Sequence, residues 1–185
     1  MNKADLLQEI SQVLNKAKVK RLADAVGEEE DLISDLLDLS FYREREIAFR
    51  AAWILEQVEI NFTDMFLPIV PKFLKVYPDQ MNLSCQRHYT KIMMNLTNQK
   101  AIKGYQAVIW SVEIDPIIEC TFEWLINPET SVAVCVNCMD ILFNLKNRGK
   151  WISEELKAQT EFLMRNGGPA IQSRGKKIIQ ELKRE

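Results

Sequence analysis

Four short segments of this 185-residue chain align without gaps, and that repetition constrains the fold more than any other feature. They are Trp53-Ile54-Leu55-Glu56-Gln57-Val58, Lys91-Ile92-Met93-Met94-Asn95-Leu96, Asp140-Ile141-Leu142-Phe143-Asn144-Leu145 and Lys177-Ile178-Ile179-Gln180-Glu181-Leu182. Counted back from each final apolar residue, positions 0, −3, −4, −7 and −11 form one stripe. Its members are Val58, Leu55, Ile54, Ala51 and Ile47, then Leu96, Met93, Ile92, Tyr89 and Cys85. The third set is Leu145, Leu142, Ile141, Cys138 and Val134, and the fourth Leu182, Ile179, Ile178, Gly175 and Ile171. That spacing is the 3.6-residue period of an amphipathic helix. Four helices with one pattern cannot each bury an apolar face alone, so they must stack.

The lengths between repeats shape the expected architecture. Each patterned helix is preceded by a second apolar helix: Asp31 to Tyr42, Asp64 to Tyr77, Asp115 to Ile126 and Ile152 to Met164. Asp115-Pro116, Asn127-Pro128 and Gly168-Pro169 place proline where a helix begins. Asn61 followed by Asp64 predicts an N-cap with an acid at the third position. Pro68 and Pro71 should bend or break the helix they lie in. The patterned helices themselves should run over about 43–59, 82–98, 129–147 and 169–184. Residues 101 to 112 supply an additional helix in the longest interval. Two short helices, 5–14 and 17–26, form an atypical end unit of the kind an open stack requires.

This organisation resembles the HEAT repeat, the armadillo-like hairpin family, whose units run to about 40–47 residues. The resemblance is carried by Phe66-Leu67-Pro68 through Tyr77-Pro78-Asp79 to Leu96, a proline-bent helix, an Asp in the turn and a second helix. Arg50-Ala51-Ala52-Trp53-Ile54-Leu55-Glu56 is similar to a HEAT second helix. It implies an all-α fold, a right-handed α-α superhelix of about four helical hairpins plus an N-terminal helical cap. The expected division is one HEAT-like domain over 1–185, with the cap at 1–27 and units at 28–60, 61–99, 100–148 and 149–185. The resemblance also implies that the second helices line a concave groove.

The opposite stripe of those helices, at positions −8, −5 and −1, is polar at eleven of twelve places, so it should face water. From it come the candidate binding residues: Arg50, Trp53, His88, Lys91, Asn137, Asp140, Arg174 and Lys177. A solvated face of an amphipathic helix is the plainer account of any one of them. Trp53 is the odd member, readable as a binding anchor or as packing against the N-terminal cap.

Chemistry-bearing patterns are few. Cys135-Val136-Asn137-Cys138 is the one formal metal or redox motif. No second Cys-x-x-Cys accompanies it, and Cys138 sits on the apolar stripe, so we expect packing and no metal. His88 shares its helical face with Lys91 and with no carboxylate, which argues against a general base. Glu119 and Glu123 are spaced i, i+4, yet no Glu-x-x-His accompanies them. No phosphate-binding glycine loop or nucleophile elbow is present. We therefore expect no enzyme and no cofactor, but a scaffold that binds a protein or peptide.

Charge adds a rival. The net −2 hides an asymmetry: residues 1–58 carry −4, 59–144 carry −3, and 145–185 carry +5. A basic C-terminal unit makes nucleic-acid binding the alternative, although most of the chain is acidic. The N-terminus has no apolar core of a signal peptide, and no apolar run reaches the ~20 residues that span a bilayer. With four cysteines read as reduced thiols, the expectation is a cytoplasmic protein with no membrane contact. Its oligomeric state is not readable from the sequence.

Overall fold

The chain is wound almost entirely into helices, and the computed structural model describes residues 1–184. Twelve α-helices follow one another: α1 Lys3–Ser11, α2 Lys16–Val26, α3 Glu30–Leu39, α4 Arg45–Asn61, α5 Thr63–Phe66, α6 Val70–Val76, α7 Leu83–Thr97, α8 Lys103–Ser111, α9 Asp115–Ile126, α10 Val132–Leu145, α11 Lys150–Met164 and α12 Pro169–Leu182. No strand occurs among the described residues. The all-α architecture of helical hairpins expected from the repeat is the one observed. The helices group into two compact units, Met1–Ile92 and Met93–Glu185, with α7 running through the boundary.

In the first unit, α1 and α2 are the short end helices. Asn2 and Asp5 form a reciprocal capping box on α1, and Asn15 caps α2 through the amide of Lys18. α3 packs on α4, and α2 lies against α4 as well. Pro68 and Pro71 act as expected. They split the predicted 64–77 helix into α5, a 3₁₀ turn at Leu67–Ile69, and α6. The broken segment carries Phe66, Phe73 and Tyr77 inward, where Tyr89 of α7 meets Phe73 with ring centroids 5.0 Å apart. The Tyr89 hydroxyl sits 2.6 Å from the Ser40 hydroxyl, so this polar atom is satisfied in the apolar cluster. Burial pushes the Tyr89 phenol above its ordinary pKa, and it pushes the Cys85 thiol up to about 12.

Two boundary expectations fail for local reasons. Asn61 does not start a helix. It ends α4, where its side-chain amide donates to the Gln57 carbonyl, and α5 begins without a side-chain cap. Pro128 does not open α10 either. It lies in a turn, and the cap is Ser131, whose hydroxyl accepts from the Val134 amide. Pro116 and Pro169 do occupy the first turns of α9 and α12.

The second unit is built from two hairpins, α9 on α10 and α11 on α12, with α10 also packed on α12. Of the twenty residues in the apolar stripe, all are buried except Ile47, Ile179 and Leu182, which are half-buried. Each fully buried Leu or Ile contributes ~1.5–3 kcal/mol. At position −7, Gly175 lies so close to α11 that a Cβ would come 2.5 Å from Met164 Sδ. The same position holds Cys138, wholly buried, so a small packing residue accounts for it. Its thiol is raised well above the ordinary value by burial and by the neighbouring Cys135 and Cys120, which disfavours a thiolate ligand or nucleophile. All four cysteines are buried, and none is in a disulfide among the described residues.

Candidate functional site

The eight candidate residues divide four and four between the units, and their surroundings differ. Arg50 is on α4, but its guanidinium turns to the end of α1. One nitrogen donates to the carbonyls of Ile10 (3.2 Å) and Ser11 (3.0 Å), and the other pairs with Glu46 one turn earlier at 3.1 Å. A cation at a helix C-terminus satisfies orphan carbonyls and the dipole together. The side chain keeps only 16% of its exposure, so Arg50 fastens the end helix to the stack.

Trp53 and His88 also depart from the open polar face expected of them. Their rings stack with centroids 6.4 Å apart, tilted by 17°, and Phe49 sits 5.2 Å from the imidazole. His88 is 6% exposed, which overturns the expectation that this stripe faces water throughout. The expectation that no carboxylate attends His88 also fails: Glu56 Oε2 lies 2.5 Å from its Nδ1. A pattern read along the histidine's own helix does not reveal Glu56. It comes from α4, one residue before the −1 position. The imidazole is thus held by a half-buried carboxylate on one side and covered by two aromatic rings. Its Nε2 is buried as well and meets no hydrogen-bond partner among the described residues. Lys91, in contrast, is exposed on the surface of α7.

In the second unit the stripe opens onto a cleft. Asp140 of α10 and Arg174 of α12 bridge the two helices at 3.2 Å. Asn137 is half-buried beside them. Lys177, one turn beyond Arg174, is 59% exposed and lies 3.9 Å from Glu181. A cleft of about 470 Å³ runs along this side, bounded by Asn98, Gln99 and Lys100 after α7, by Phe143, Asn144 and Lys146 at the end of α10, and by Lys177, Glu181 and Arg184. Among the described residues, four cations and one carboxylate line it. Lys146 is 4% exposed, and its ammonium rests over the Phe143 ring at 4.3 Å.

A smaller cavity of about 200 Å³ shares Asn98, Gln99 and Asn144 with that cleft and adds Gln106 and Asn147. The Asn144 amide donates to Thr97 Oγ1 at 3.3 Å, leaving its carbonyl oxygen directed elsewhere. Arg148 closes one wall. It donates to the carbonyls of Ile109 (3.1 Å) and Val112 (3.2 Å) and stacks over the Trp110 ring at 4.8 Å.

Lys100 and Lys146 were not picked out as site residues, because neither falls at a stripe position. Lys146 follows the last stripe residue of α10, and Lys100 lies in the link to α8. Among the described residues, no group of three His, Cys, Asp or Glu could hold a metal ion, and no helix is long and apolar enough to cross a membrane.

A family model described as the HEAT repeat domain matches residues 6–182, nearly the whole chain. Neither the curated proteins nor the solved structures contain a significant match. Hairpin after hairpin, the aligned second helices and the proline-broken first helix all fall within the matched span, and the chain belongs to the HEAT repeat domain family.

Proposed function

We propose that the chain is a non-catalytic interaction scaffold whose binding face lies in the second unit, and that its partner is a protein presenting an extended acidic segment. HEAT repeats generally mediate contacts between proteins. The observation that carries the finer reading is the cleft between α10, α12 and the residues after α7. Among its described lining residues, Lys100, Lys146, Lys177 and Arg184 outnumber one carboxylate, Glu181. Beside it, Asn98, Gln99, Asn144 and Asn147 offer side-chain amides, which both donate and accept and so match a peptide backbone. Arg174, Asp140 and Asn137 lie next to the cleft as supports of its helices, and of the eight candidate residues Lys177 is the one that lines it. We place the protein's action in the cytoplasm, a reading supported by four cysteines of which none is in a disulfide among the described residues.

The test is titration of a fluorescent Asp/Glu-rich peptide into the whole protein. Lys100→Ala, Lys177→Ala and Arg184→Ala together should weaken binding about tenfold or more without lowering the melting temperature. Affinity unchanged in that variant overturns the assignment. A second reading is favoured by the same four cations: the phosphate backbone of a nucleic acid. It would show as tighter binding of a single-stranded oligonucleotide than of the peptide, with affinity falling steeply as salt rises.

A further inference from the structure

A second recess in the same unit has the opposite chemistry, and the amphipathic pattern gives it no role. Phe122, Ile126, Glu119 and Glu123 of α9 face Trp151 and Glu155 of α11 across a groove of about 290 Å³. Its floor is aromatic: the Phe122 and Trp151 rings have centroids 5.7 Å apart and are tilted by 35°. Its rim is acidic, with three carboxylates and, among the described residues, no lining cation. Large apolar side chains are left open to water there, Trp151 at 47% and Ile126 at 54%.

The indole is held in place. It lies on Gly149, where a Cβ would come 3.0 Å from both Cδ1 and Nε1, so the position leaves no room for a side chain without moving the ring. The nearest basic residues in sequence are engaged elsewhere. Arg148 donates to two carbonyls at the end of α8, and Lys150 faces Glu154 at 3.9 Å. Glu119 and Glu123, at i and i+4, repel one another, and Glu155 adds a third negative charge while accepting only a hydrogen bond from Gln159. The groove thus combines an exposed aromatic face with carboxylates that lack a counter-charge.

We propose that this groove docks a partner protein by one arginine side chain, with the guanidinium over Trp151 and its donors directed at Glu119, Glu123 and Glu155. A planar cation satisfies both features at once, stacking on an indole and forking to carboxylates, which an ammonium does less well. The volume suits a single long side chain, lying at the lower end of ligand pockets. This site stands apart from the basic cleft and does not depend on it.

The experiment follows the Trp151 indole N–H of the intact protein by NMR while short, otherwise neutral peptides are added that carry one arginine, one lysine or one citrulline. The arginine peptide should shift the Trp151 resonance saturably, the lysine peptide should bind more weakly, and citrulline, which keeps the shape and removes the charge, should be inert. Glu119→Gln with Glu123→Gln should weaken the arginine peptide about tenfold, with the circular dichroism spectrum unchanged. Glu29→Gln, an exposed acid of the first unit, should change nothing. Equal shifts from citrulline and arginine would overturn the proposal, as would a shift that survives the double glutamine variant. Self-association abolished by Trp151→Ala would also overturn it, because the occupant would then be a second copy of the chain.

Discussion

Arg50 and Arg174 occupy the same position of the repeat, eight residues before the last apolar residue, yet they serve different ends. Arg50 is drawn into the first unit, where it binds two carbonyls at the end of α1 and leaves 16% of its side chain exposed. Arg174 stays at the edge of the second unit, 33% exposed, bridging to Asp140. The next stripe position repeats the contrast, with Trp53 stacked on His88 in the first unit and Lys177 open above a cleft in the second. A repeat therefore specifies which side of a helix is polar without specifying what that polarity is for. In the first unit Arg50, Trp53 and His88 of the stripe join helices, and two end helices lie against α4. In the second no such cover exists among the described contacts of α10 and α12 with their own unit, and the polar face borders a cleft.

That comparison breaks first at the His88–Glu56 pair if it is wrong. Glu56→Ala leaves a buried imidazole nitrogen unsatisfied and His88→Ala leaves a half-buried carboxylate without its partner, and each should cost about 1–3 kcal/mol in chemical unfolding. The double variant should cost less than the two losses added, with a coupling of about 0.5–3 kcal/mol. Binding of the acidic peptide at the second unit should not change in any of them. A loss of peptide affinity with stability intact would return His88 to the binding face.

Glycine substitution sharpens the comparison next. A Cβ on Gly27 would overlap the Phe62 ring, whose near atoms cannot swing clear, so Gly27→Ala should destabilise by about 1–3 kcal/mol. In the second unit, a Cβ on Gly175 meets the flexible thioether of Met164, which can move aside. Gly175→Ala should therefore cost less than Gly27→Ala when both are measured by the same thermal unfolding. The reverse order would show that the first unit is the more loosely packed of the two.

Much of the fold was legible because its signal is periodic. The apolar stripe placed seventeen buried residues from spacing alone, and the proline pair marked where the helix between Asp64 and Tyr77 breaks. The helix starts at Asn61 and Pro128 were misplaced, because a capping residue is recognised by what its side chain accepts, and composition does not show that. The site was less legible for a related reason. A stripe lists residues of one helix, whereas Glu56 meets His88 from another, and Lys100 and Lys146 reach the cleft from helix ends and links. The acidic aromatic groove drew attention only as a Glu119–Glu123 spacing, because its tryptophan lies twenty-eight residues further on.

The smallest expected effect concerns how the first unit uses charge at its edge. Asp38 of α3 accepts from Lys72 at 2.5 Å and from Lys3 at 3.1 Å, which ties α1, α3 and α6 together. Burial by itself would raise this carboxyl, but the hydrogen bonds and charges of Lys72 and Lys3 outweigh it and hold it below its ordinary range. A carboxyl lowered by folding adds stability that is fully present above its unfolded value and is lost as pH falls through the depressed one. Lys72→Ala should return Asp38 toward the ordinary range. The variant should be less stable near neutral pH by under about 1 kcal/mol, because both side chains are nearly half exposed. That gap should close in acid, once Asp38 is protonated in both proteins, and should shrink with added salt. A gap that persists in acid would mean that Lys72 acts by packing its alkyl stem on α3, and the first unit's surface charges would then be as free of structural duty as Lys177 in the second.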